Sequence, residues 1–395
     1  MLSNTCYSVK LKTGIYRGAL LIDTINKKEI PFLFEIKKEK KKYVLIIRNA
    51  TERIRVDEIR QTKDSLFFKM PVFDTEFRLK KNGKSLEGVW INHYRKNYSI
   101  PFKAWYKNEN RFIVKEEKPN PVFQGKWECH FSKNASDYYK AIGVFKHIEL
   151  SQFVTGTFLT ETGDYRYLEG VKEGSKLLLS CFDGSHAFLF EADLIGDTLK
   201  GWFYSGKHWK EPWYGFKNEN ASLNDPEEIS KFENNNQKID FSFKNLFGKS
   251  ISLSDEKFKN KPVIIQIMGS WCPNCMDESK YLSELYQNYQ SKGLEIIALA
   301  FEKTDDFAVA QKQVNRLVNR FDIRYEVLIT ELVGKDKALA VFPGMNKIIS
   351  FPTTIFLDKN HRVVKIHTGF SGPATGKEYE YFKSRTTELV EQLIK

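Results

Sequence analysis

The chain has 395 residues, of which 41% are hydrophobic and 14% aromatic, so it is neither a peptide nor a disordered chain and has room for two or three domains. Its formal net charge is +12, and residues 1–120 carry 27 Lys and Arg against 14 Asp and Glu, an excess of 13. We interpret this excess as solvated lysines at strand edges, where they discourage edge pairing. An anionic partner is the alternative, but we expect no nucleic acid among the partners.

The N-terminus shows neither a run of about 18 apolar residues nor the charged and apolar regions of a signal peptide. We therefore expect no targeting segment in the sequence as given. Cys6 lies in a segment that only faintly resembles a lipoprotein cleavage site. Its role is left open, as is membrane association through a missing or processed N-terminus.

Residues 10–220 contain short runs rich in Val, Ile, Phe, Tyr and Thr, such as 43–47 and 177–180, separated by turns with glycine. This pattern predicts antiparallel β structure without long helices. We expect two β-rich units, residues 1–115 and 122–222, forming two small barrels or the two halves of one sandwich. A module filled by its own side chains is favoured over one with a ligand cavity.

The two β-rich units share an internal repeat, because several landmarks recur at similar offsets. In the first unit these are Leu86, Gly88, Trp90 and Pro101, and in the second they are Leu199, Gly201, Trp202 and Pro212. The repeat predicts that both units have the same strand arrangement.

Residues 223–238 are polar and predict a linker. Beyond them, residues 239–395 alternate between apolar strands and helices, which is typical of an α/β domain around a mainly parallel sheet. The predicted strands are 262–267, 294–301, 325–329, 354–357 and 363–367, and the predicted helices are 273–290, 305–320 and 377–395. The fold class is therefore multidomain, with an all-β antiparallel region followed by an α/β domain.

Five cysteines are present, and Cys272 and Cys275 form a Cys-x-x-Cys motif. No second Cys or His pair follows at the spacing of a zinc site, so we expect no metal and no other cofactor. The motif lies where a buried strand gives way to a helix, so Cys272 faces the positive end of the helix dipole, which stabilises a thiolate. This placement predicts Cys272 as the attacking thiolate and Cys275 as the buried resolving thiol.

Three segments of the C-terminal domain carry a family resemblance: Gly248–Asp255, Gly269–Cys275 and Phe351–Asp358. Residues 239–395 resemble the TlpA/ResA-like thiol-disulfide oxidoreductases, which have the thioredoxin fold and are related to the AhpC/TSA redoxins. The resemblance implies a protein disulfide reductase type of enzyme, with protein disulfides as substrates and an unidentified redox partner. It also implies a location in the bacterial cell envelope or periplasm. The β-rich extension is more weakly similar to extensions found in some envelope proteins.

The same resemblance implies roles for residues outside the Cys-x-x-Cys motif. In the family a cis proline packs against the disulfide, and in this chain that residue is Pro352, with a cis Phe351–Pro352 bond. The Phe351 backbone is then expected to pair with an extended substrate, and Trp271 is expected to bind substrate beside Cys272.

Glu278 is the candidate proton acceptor for Cys275. Thioredoxins carry a buried Asp six residues before the first cysteine, where this chain has Gln266. Helical spacing from Cys275 places Glu278 on the stripe of the helix that faces the core, where burial raises a carboxyl pKa. ResA-like proteins tend to have a Glu at this position too. The alternative is that Glu278 only complements the helix dipole.

Two other functions compete with thiol–disulfide exchange. A peroxiredoxin-like peroxidase needs a Thr or Ser three residues before its reactive cysteine, and Gly269 stands at that place. The second alternative is an envelope binding or scaffold protein in which the redox domain is an accessory. The length of the β-rich region favours this alternative. Within that region, Cys129 and Cys181 are candidates for a disulfide.

Overall fold

A computed structural model describes residues 11–132, 135–148, 151–234 and 239–395. Cys6 and the end of the expected linker, residues 235–238, lie outside the described residues. Among those described, residues 11–158 and 167–221 form one compact unit, and residues 159–166 and 222–395 form a second. In the described part of the chain no helix is long and apolar enough to cross a lipid bilayer.

The first nine strands form one antiparallel sheet, in the order β4-β3-β2-β1-β9-β8-β7-β6-β5. Strands β6, β7 and β9 alternate buried residues with more exposed ones, because one face packs into the core. The strands are β1 (Gly14–Asp23), β2 (Lys28–Glu39), β3 (Lys42–Asn49), β4 (Glu52–Val56), β5 (Glu58–Gln61), β6 (Ser65–Lys69), β7 (Thr75–Asn82), β8 (Ser85–Asn92) and β9 (Ser99–Tyr106).

The next nine strands form a second antiparallel sheet, in the order β11-β10-β18-β17-β16-β15-β14-β12-β13. An additional pairing between β11 and β12 closes eight of these strands into a barrel. The strands are β10 (Gly125–Phe131), β11 (Tyr139–His147), β12 (Phe153–Thr160), β13 (Gly163–Asp164), β14 (Leu168–Glu173), β15 (Lys176–Phe182), β16 (Ala187–Ile195), β17 (Thr198–Ser205) and β18 (Trp209–Lys217).

Aromatic side chains fill the interior of this barrel. Phe190 stacks on Phe158 and on Phe203, with ring centroids 4.5 and 4.4 Å apart. Phe131 stacks on Trp213 at 5.8 Å. Offset and edge contacts of this kind stabilise a core beyond the area that they bury. The second β-rich unit is therefore a barrel packed with its own side chains.

The repeat found in the sequence corresponds to matching strands, since β10-β18-β17-β16-β15 of the second sheet follow the same order as β1-β9-β8-β7-β6 of the first. Gly88 and Gly201 match, because a Cβ at either position would overlap a carbonyl oxygen of the neighbouring strand. Two residues beyond each glycine, Trp90 and Phe203 are buried. Trp202 is 43% exposed, so Phe203 is the structural counterpart of Trp90.

The two β-rich regions, expected at 1–115 and 122–222 as two barrels or as two halves of one sandwich, lie in one compact unit. Phe182 contacts the rings of Phe32, Phe77 and Trp90 in the first sheet, at 4.5, 5.5 and 5.5 Å. Arg111 donates hydrogen bonds to backbone oxygens of both sheets, Arg48 O at 2.6 Å and Ser180 O at 3.4 Å. These buried contacts give the two sheets a common core.

The suggested disulfide between Cys129 and Cys181 is wrong, because neither cysteine forms a disulfide in the structure. Cys129 lies on β10 and Cys181 on β15, and three strands separate β10 from β15 in the barrel. Neighbouring strands are already about 4.8 Å apart, whereas a disulfide needs Cα atoms within about 7 Å.

The second unit is built on a seven-stranded sheet in the order β20-β19-β23-β22-β21-β24-β25. Its centre, β21 to β23, is parallel, and the other strands are antiparallel. The strands are β19 (Ser242–Asn245), β20 (Ser250–Ser252), β21 (Val263–Met268), β22 (Glu295–Ala300), β23 (Glu326–Ile329), β24 (Thr353–Leu357) and β25 (Val363–Thr368). The helices are α1 (Pro226–Ile229), α2 (Pro273–Tyr289), α3 (Phe307–Phe321), α4 (Lys335–Ala340) and α5 (Lys377–Leu393).

Residues 223–234, the described part of the polar segment 223–238, do not act as a free linker. The Asp225 side chain accepts a hydrogen bond from the Glu227 N–H and so caps α1. Ile229 and Phe232 are buried, and Phe232 forms a β-bridge with Met345. Packing against the α/β unit therefore begins well before residue 239.

Candidate active site

Cys272 is the N-cap residue of α2, directly after the buried strand β21 and the turn that follows it. Its backbone is extended, and its Sγ accepts a hydrogen bond from the Cys275 N–H at 3.3 Å. An acceptor at this position satisfies one of the free N–H groups of the first turn. Pro273 as the first helical residue has no N–H to leave unpaired. The local sequence therefore places a sulfur at the positive end of a 17-residue helix.

The Cys272 thiol also contacts the loop before β24. Its Sγ donates a hydrogen bond to Phe351 O at 3.2 Å. The Phe351–Pro352 bond is cis, as the family resemblance implied. The sulfur of Cys272 therefore lies between the start of α2 and the backbone of Phe351. The residue is 8% exposed.

Cys275 lies one turn into α2 and is completely buried. Burial raises the pKa of its thiol well above the ordinary value, and the hydrogen bond with the Cys272 side chain raises it further. A nearby group that takes its proton would therefore ease the formation of the Cys275 thiolate.

Glu278 is also completely buried, one turn after Cys275. Gln266 Nε2 and Thr354 Oγ1 each donate a hydrogen bond to its carboxylate, both at 2.7 Å. Burial raises the pKa of Glu278 to about 7, although these two hydrogen bonds oppose the shift. The Gln266 amide is oriented by Ser279, whose hydroxyl donates to Gln266 Oε1 at 3.1 Å. This carboxyl group can therefore take up and release a proton near neutral pH.

Trp271 precedes the first cysteine and is held by residues at the end of β22. Its Nε1 donates to Phe301 O at 3.0 Å, and the ammonium of Lys303 lies 4.3 Å from the ring centroid. The ring also makes an edge contact with Phe351, at 5.9 Å between centroids. The structure thus brings Trp271, Phe351, Pro352, both cysteines and Glu278 into one region.

Sequence reasoning missed a second buried carboxyl group near the motif. Glu302 accepts hydrogen bonds from the Ser270 N–H at 2.7 Å and from the Ser270 hydroxyl at 2.8 Å. Burial raises the pKa of Glu302 to about 7. Glu302 directly follows the predicted strand 294–301, and the carboxyl ends of parallel strands lie at the same edge of a sheet. This position could have indicated that Glu302 lies near the motif.

Sequence reasoning also missed the segment 159–166, which belongs to the same compact unit as the motif. Asn274 Nδ2 donates a hydrogen bond to Asp164 O at 3.3 Å. The two residues are 110 positions apart, and no local pattern in the sequence could have indicated this contact.

Comparison with known proteins assigns this domain. Residues 233–382 match the Redoxin family. The thiol-disulfide oxidoreductase ResA of Bacillus thuringiensis subsp. konkukian is 32% identical over 157 residues, which cover 40% of this chain and 80% of that protein. The chain belongs to the ResA family of thiol-disulfide oxidoreductases. It is therefore a redox enzyme with a C-terminal thioredoxin-like domain, which confirms the predicted enzyme class and fold class.

Two further proteins are similar to part of this ResA-family chain. The thioredoxin-like protein YneN of Bacillus subtilis is 31% identical over 147 residues, covering 36% of this chain and 75% of YneN. A secreted thiol-disulfide isomerase of Corynebacterium glutamicum, known from its crystal structure, is 22% identical with a TM-score of 0.33, covering 44% of this chain and 97% of that one.

Proposed function

We propose that the enzyme exchanges disulfides of protein substrates through Cys272 and Cys275. The observation that carries the proposal is the pairing of a nearly buried Cys272 at the N-cap of α2 with a fully buried Cys275 one turn later. The first sulfur accepts a hydrogen bond from a backbone N–H, and its residue is 8% exposed, whereas Cys275 is completely buried.

The exchange begins when the Cys272 thiol loses its proton to solvent. The resulting thiolate attacks one sulfur of a substrate disulfide, which breaks the substrate S–S bond and forms a mixed disulfide. The second substrate sulfur leaves as a thiolate and takes a proton from water. Cys275 then attacks Cys272, which releases the first substrate sulfur and leaves a Cys272–Cys275 disulfide. Two electrons pass from enzyme to substrate, and a dithiol partner restores the enzyme.

We assign Glu278 as the group that accepts the Cys275 proton. The raised pKa of the Cys275 thiol makes this proton the difficult one to remove. The pKa of Glu278, about 7, suits a base that works near neutral pH. Gln266 and Thr354 hold the carboxylate in place with one hydrogen bond each.

We assign Phe351 and Trp271 to substrate binding, and Pro352 to the catalytic group beside Cys272. The Phe351 carbonyl oxygen accepts a hydrogen bond from the attacking thiol, so an extended substrate chain paired with this backbone would bring its disulfide next to Cys272. Trp271 contacts the ring of Phe351 and would flank that chain with its indole ring. Pro352 fixes the path of the backbone at this point.

The peroxidase alternative lacks a comparable observation. A hydroxyl group three residues before Cys272 would be needed, and a Cβ at Gly269 would overlap the Trp271 indole. An activity assay tests the scaffold alternative. If the β-rich unit carried the function, replacing Cys272 would not reduce that function.

The test is a redox titration of the purified chain in thiol buffers of known potential, followed by alkylation and mass spectrometry, with Cys272→Ser as the control. We expect one reversible disulfide between Cys272 and Cys275. A potential at or below about −250 mV would indicate a reductant of other disulfides, and one near about −120 mV an oxidant. If no such disulfide forms at any potential, the proposal is refuted.

We also propose that the enzyme works in the bacterial cell envelope or periplasm, on protein disulfides and with a separate redox partner. The support is the family membership, and association with a membrane through the N-terminal region is part of the same proposal. Cell fractionation with an antibody against the chain tests it, and recovery in the cytoplasmic fraction alone would contradict it.

A further inference from the structure

The segment 159–166 lies in the β-rich part of the sequence but belongs to the compact unit of the redox site. It is a tight turn in which Leu159 pairs with Asp164 and Thr160 with Gly163. Two of its hydrogen bonds with the rest of the unit involve residues next to the reactive groups.

The first contact is with the residue between the two cysteines. Asn274 Nδ2 donates to Asp164 O at 3.3 Å. Gly163 approaches the same side chain so closely that a Cβ there would overlap Asn274 Nδ2, and its φ of +136° is one that favours glycine. The turn therefore packs directly on the Cys-x-x-Cys motif.

The second contact is with the residue before Phe351. The buried Ser350 hydroxyl donates to Thr162 O at 2.7 Å. Gly369 also packs closely against the turn, because a Cβ added to Gly369 would come within 2.7 Å of Glu161 O. The turn thus also contacts the loop whose carbonyl oxygen accepts the Cys272 hydrogen bond.

An ion pair anchors the end of the segment to α2. The guanidinium of Arg166 pairs with the carboxylate of Asp277, and these side chains are only 1% and 13% exposed. Asp164 Oδ2 accepts a hydrogen bond from the Gly372 N–H at 2.6 Å, and Asp164 Oδ1 accepts one from the Arg166 N–H at 2.6 Å. Charges this well buried are stable only with their partners in place, so the position of the turn is well defined.

We propose that the turn formed by residues 160–164 is one wall of the substrate site and restricts Cys272 to disulfides on slender, flexible chains. The inference rests on the proposed function of Cys272. A disulfide on a folded surface reaches Cys272 only if the surface around it clears the turn, whereas a small disulfide or a single extended chain needs little clearance. The low exposure of Cys272, 8%, agrees with a narrow approach.

The test compares two substrates with identical chemistry and different bulk. One is the mixed disulfide of thionitrobenzoate with glutathione, and the other is the same mixed disulfide on a surface cysteine of a small folded protein. Both release coloured thionitrobenzoate, so the full chain, reduced beforehand and mixed with each substrate in a single turnover, gives a second-order rate constant for each. The quantity of interest is the ratio of the two values.

The first variant loosens the wall. In the Arg166→Ala/Asp277→Ala double variant both charges are removed together, so neither is left buried alone. We expect the ratio to shift towards the folded substrate by at least about tenfold, which corresponds to about 1.4 kcal/mol in the barrier. A ratio that stays unchanged, or two rates that fall in parallel, would mean that the turn has a structural role only.

The second variant enlarges the wall and does not disturb the core. Thr162 is exposed, so Thr162→Trp adds bulk at the tip of the turn, and we expect the ratio to shift the opposite way, against the folded substrate. The matched control is Asp197→Trp, at an exposed turn of the other unit, which should leave the ratio as it is. An unchanged ratio in Thr162→Trp would overturn the inference even if the double variant failed to fold.

Failure of the underlying function gives a separate result. If the parent chain does not turn over the glutathione substrate, or if Cys272→Ser turns it over equally well, then the proposed chemistry is wrong. If turnover depends on Cys272 but the ratio does not respond to either variant, only the proposed wall is wrong.

Discussion

Replacing Glu278 by Gln tests the proposed route of the Cys275 proton. The change keeps the size of the side chain and an oxygen that can accept from Gln266 or Thr354, but it removes the group that takes up a proton. With a pKa of about 7, Glu278 is ionised in about one tenth of the molecules at pH 6 and in about nine tenths at pH 8. The attack of Cys275 on the mixed disulfide should therefore accelerate by about ninefold between these pH values.

In the Glu278→Gln variant this acceleration should disappear, and the attack of Cys275 should be slower at pH 7. General base catalysis typically contributes about 100-fold or more, so we expect a loss of at least that size. A single turnover of reduced enzyme with an excess of dithiobis(nitrobenzoate) separates the steps. The first release of thionitrobenzoate reports the attack by Cys272, and the second reports the attack by Cys275. Only the second phase should slow.

A faster second phase in the Glu278→Gln variant would refute the reasoning. The negative charge of Glu278 also raises the pKa of the Cys275 thiol, so a purely electrostatic Glu278 would retard the resolving step. Its removal would then make the second phase faster. Glu302→Gln is the matched control, since Glu302 is equally buried with a pKa of about 7 but is bonded to Ser270. This control should keep the pH dependence of the second phase.

Four other outcomes are expected. Burial raises the pKa of Glu302 from 4.5 to about 7, so the free energy of unfolding should fall by about 3 kcal/mol as pH rises through this range. In denaturant unfolding, Glu302→Gln should therefore be more stable than the parent at pH 8 but not at pH 4. Cys275→Ser should accumulate a mixed disulfide on Cys272, visible by mass spectrometry. Phe190→Ala should lower the unfolding free energy of the barrel unit by about 3–5 kcal/mol. Cys129, whose pKa burial raises to about 12, should resist alkylation until the chain unfolds.

The features predicted well from the sequence are those set by local patterns. Strand β21 was expected at 262–267 and helix α2 at 273–290, and the structure has them at Val263–Met268 and Pro273–Tyr289. The burial of Glu278 followed from helical spacing alone. By contrast, the short elements β20 and α4 were missed, because a strand of three residues and a helix of six carry almost no periodicity.

Features that depend on distant residues could not be predicted. Nothing near Glu278 indicates that Thr354 donates to it across 76 positions. The closure of the barrel by β11 and β12 likewise depends on the curvature of the whole sheet rather than on either strand. The landmark at Trp202 was misplaced by one residue, and in a strand one residue is enough to exchange the buried and exposed faces.

The discontinuous second unit has a consequence for folding. Segment 159–166 is synthesised before residues 222–395, yet its partners Asn274, Asp277 and Ser350 all lie in that later stretch. Since chains emerge from the N-terminus and domains tend to fold in that order, the contacts of this segment with Asn274, Asp277 and Ser350 can form only when nearly the whole chain is available. The rim of the redox site is therefore among the last parts to assemble, and a chain interrupted after β18 but before Ser350 would carry all the barrel strands without a finished site for thiol chemistry.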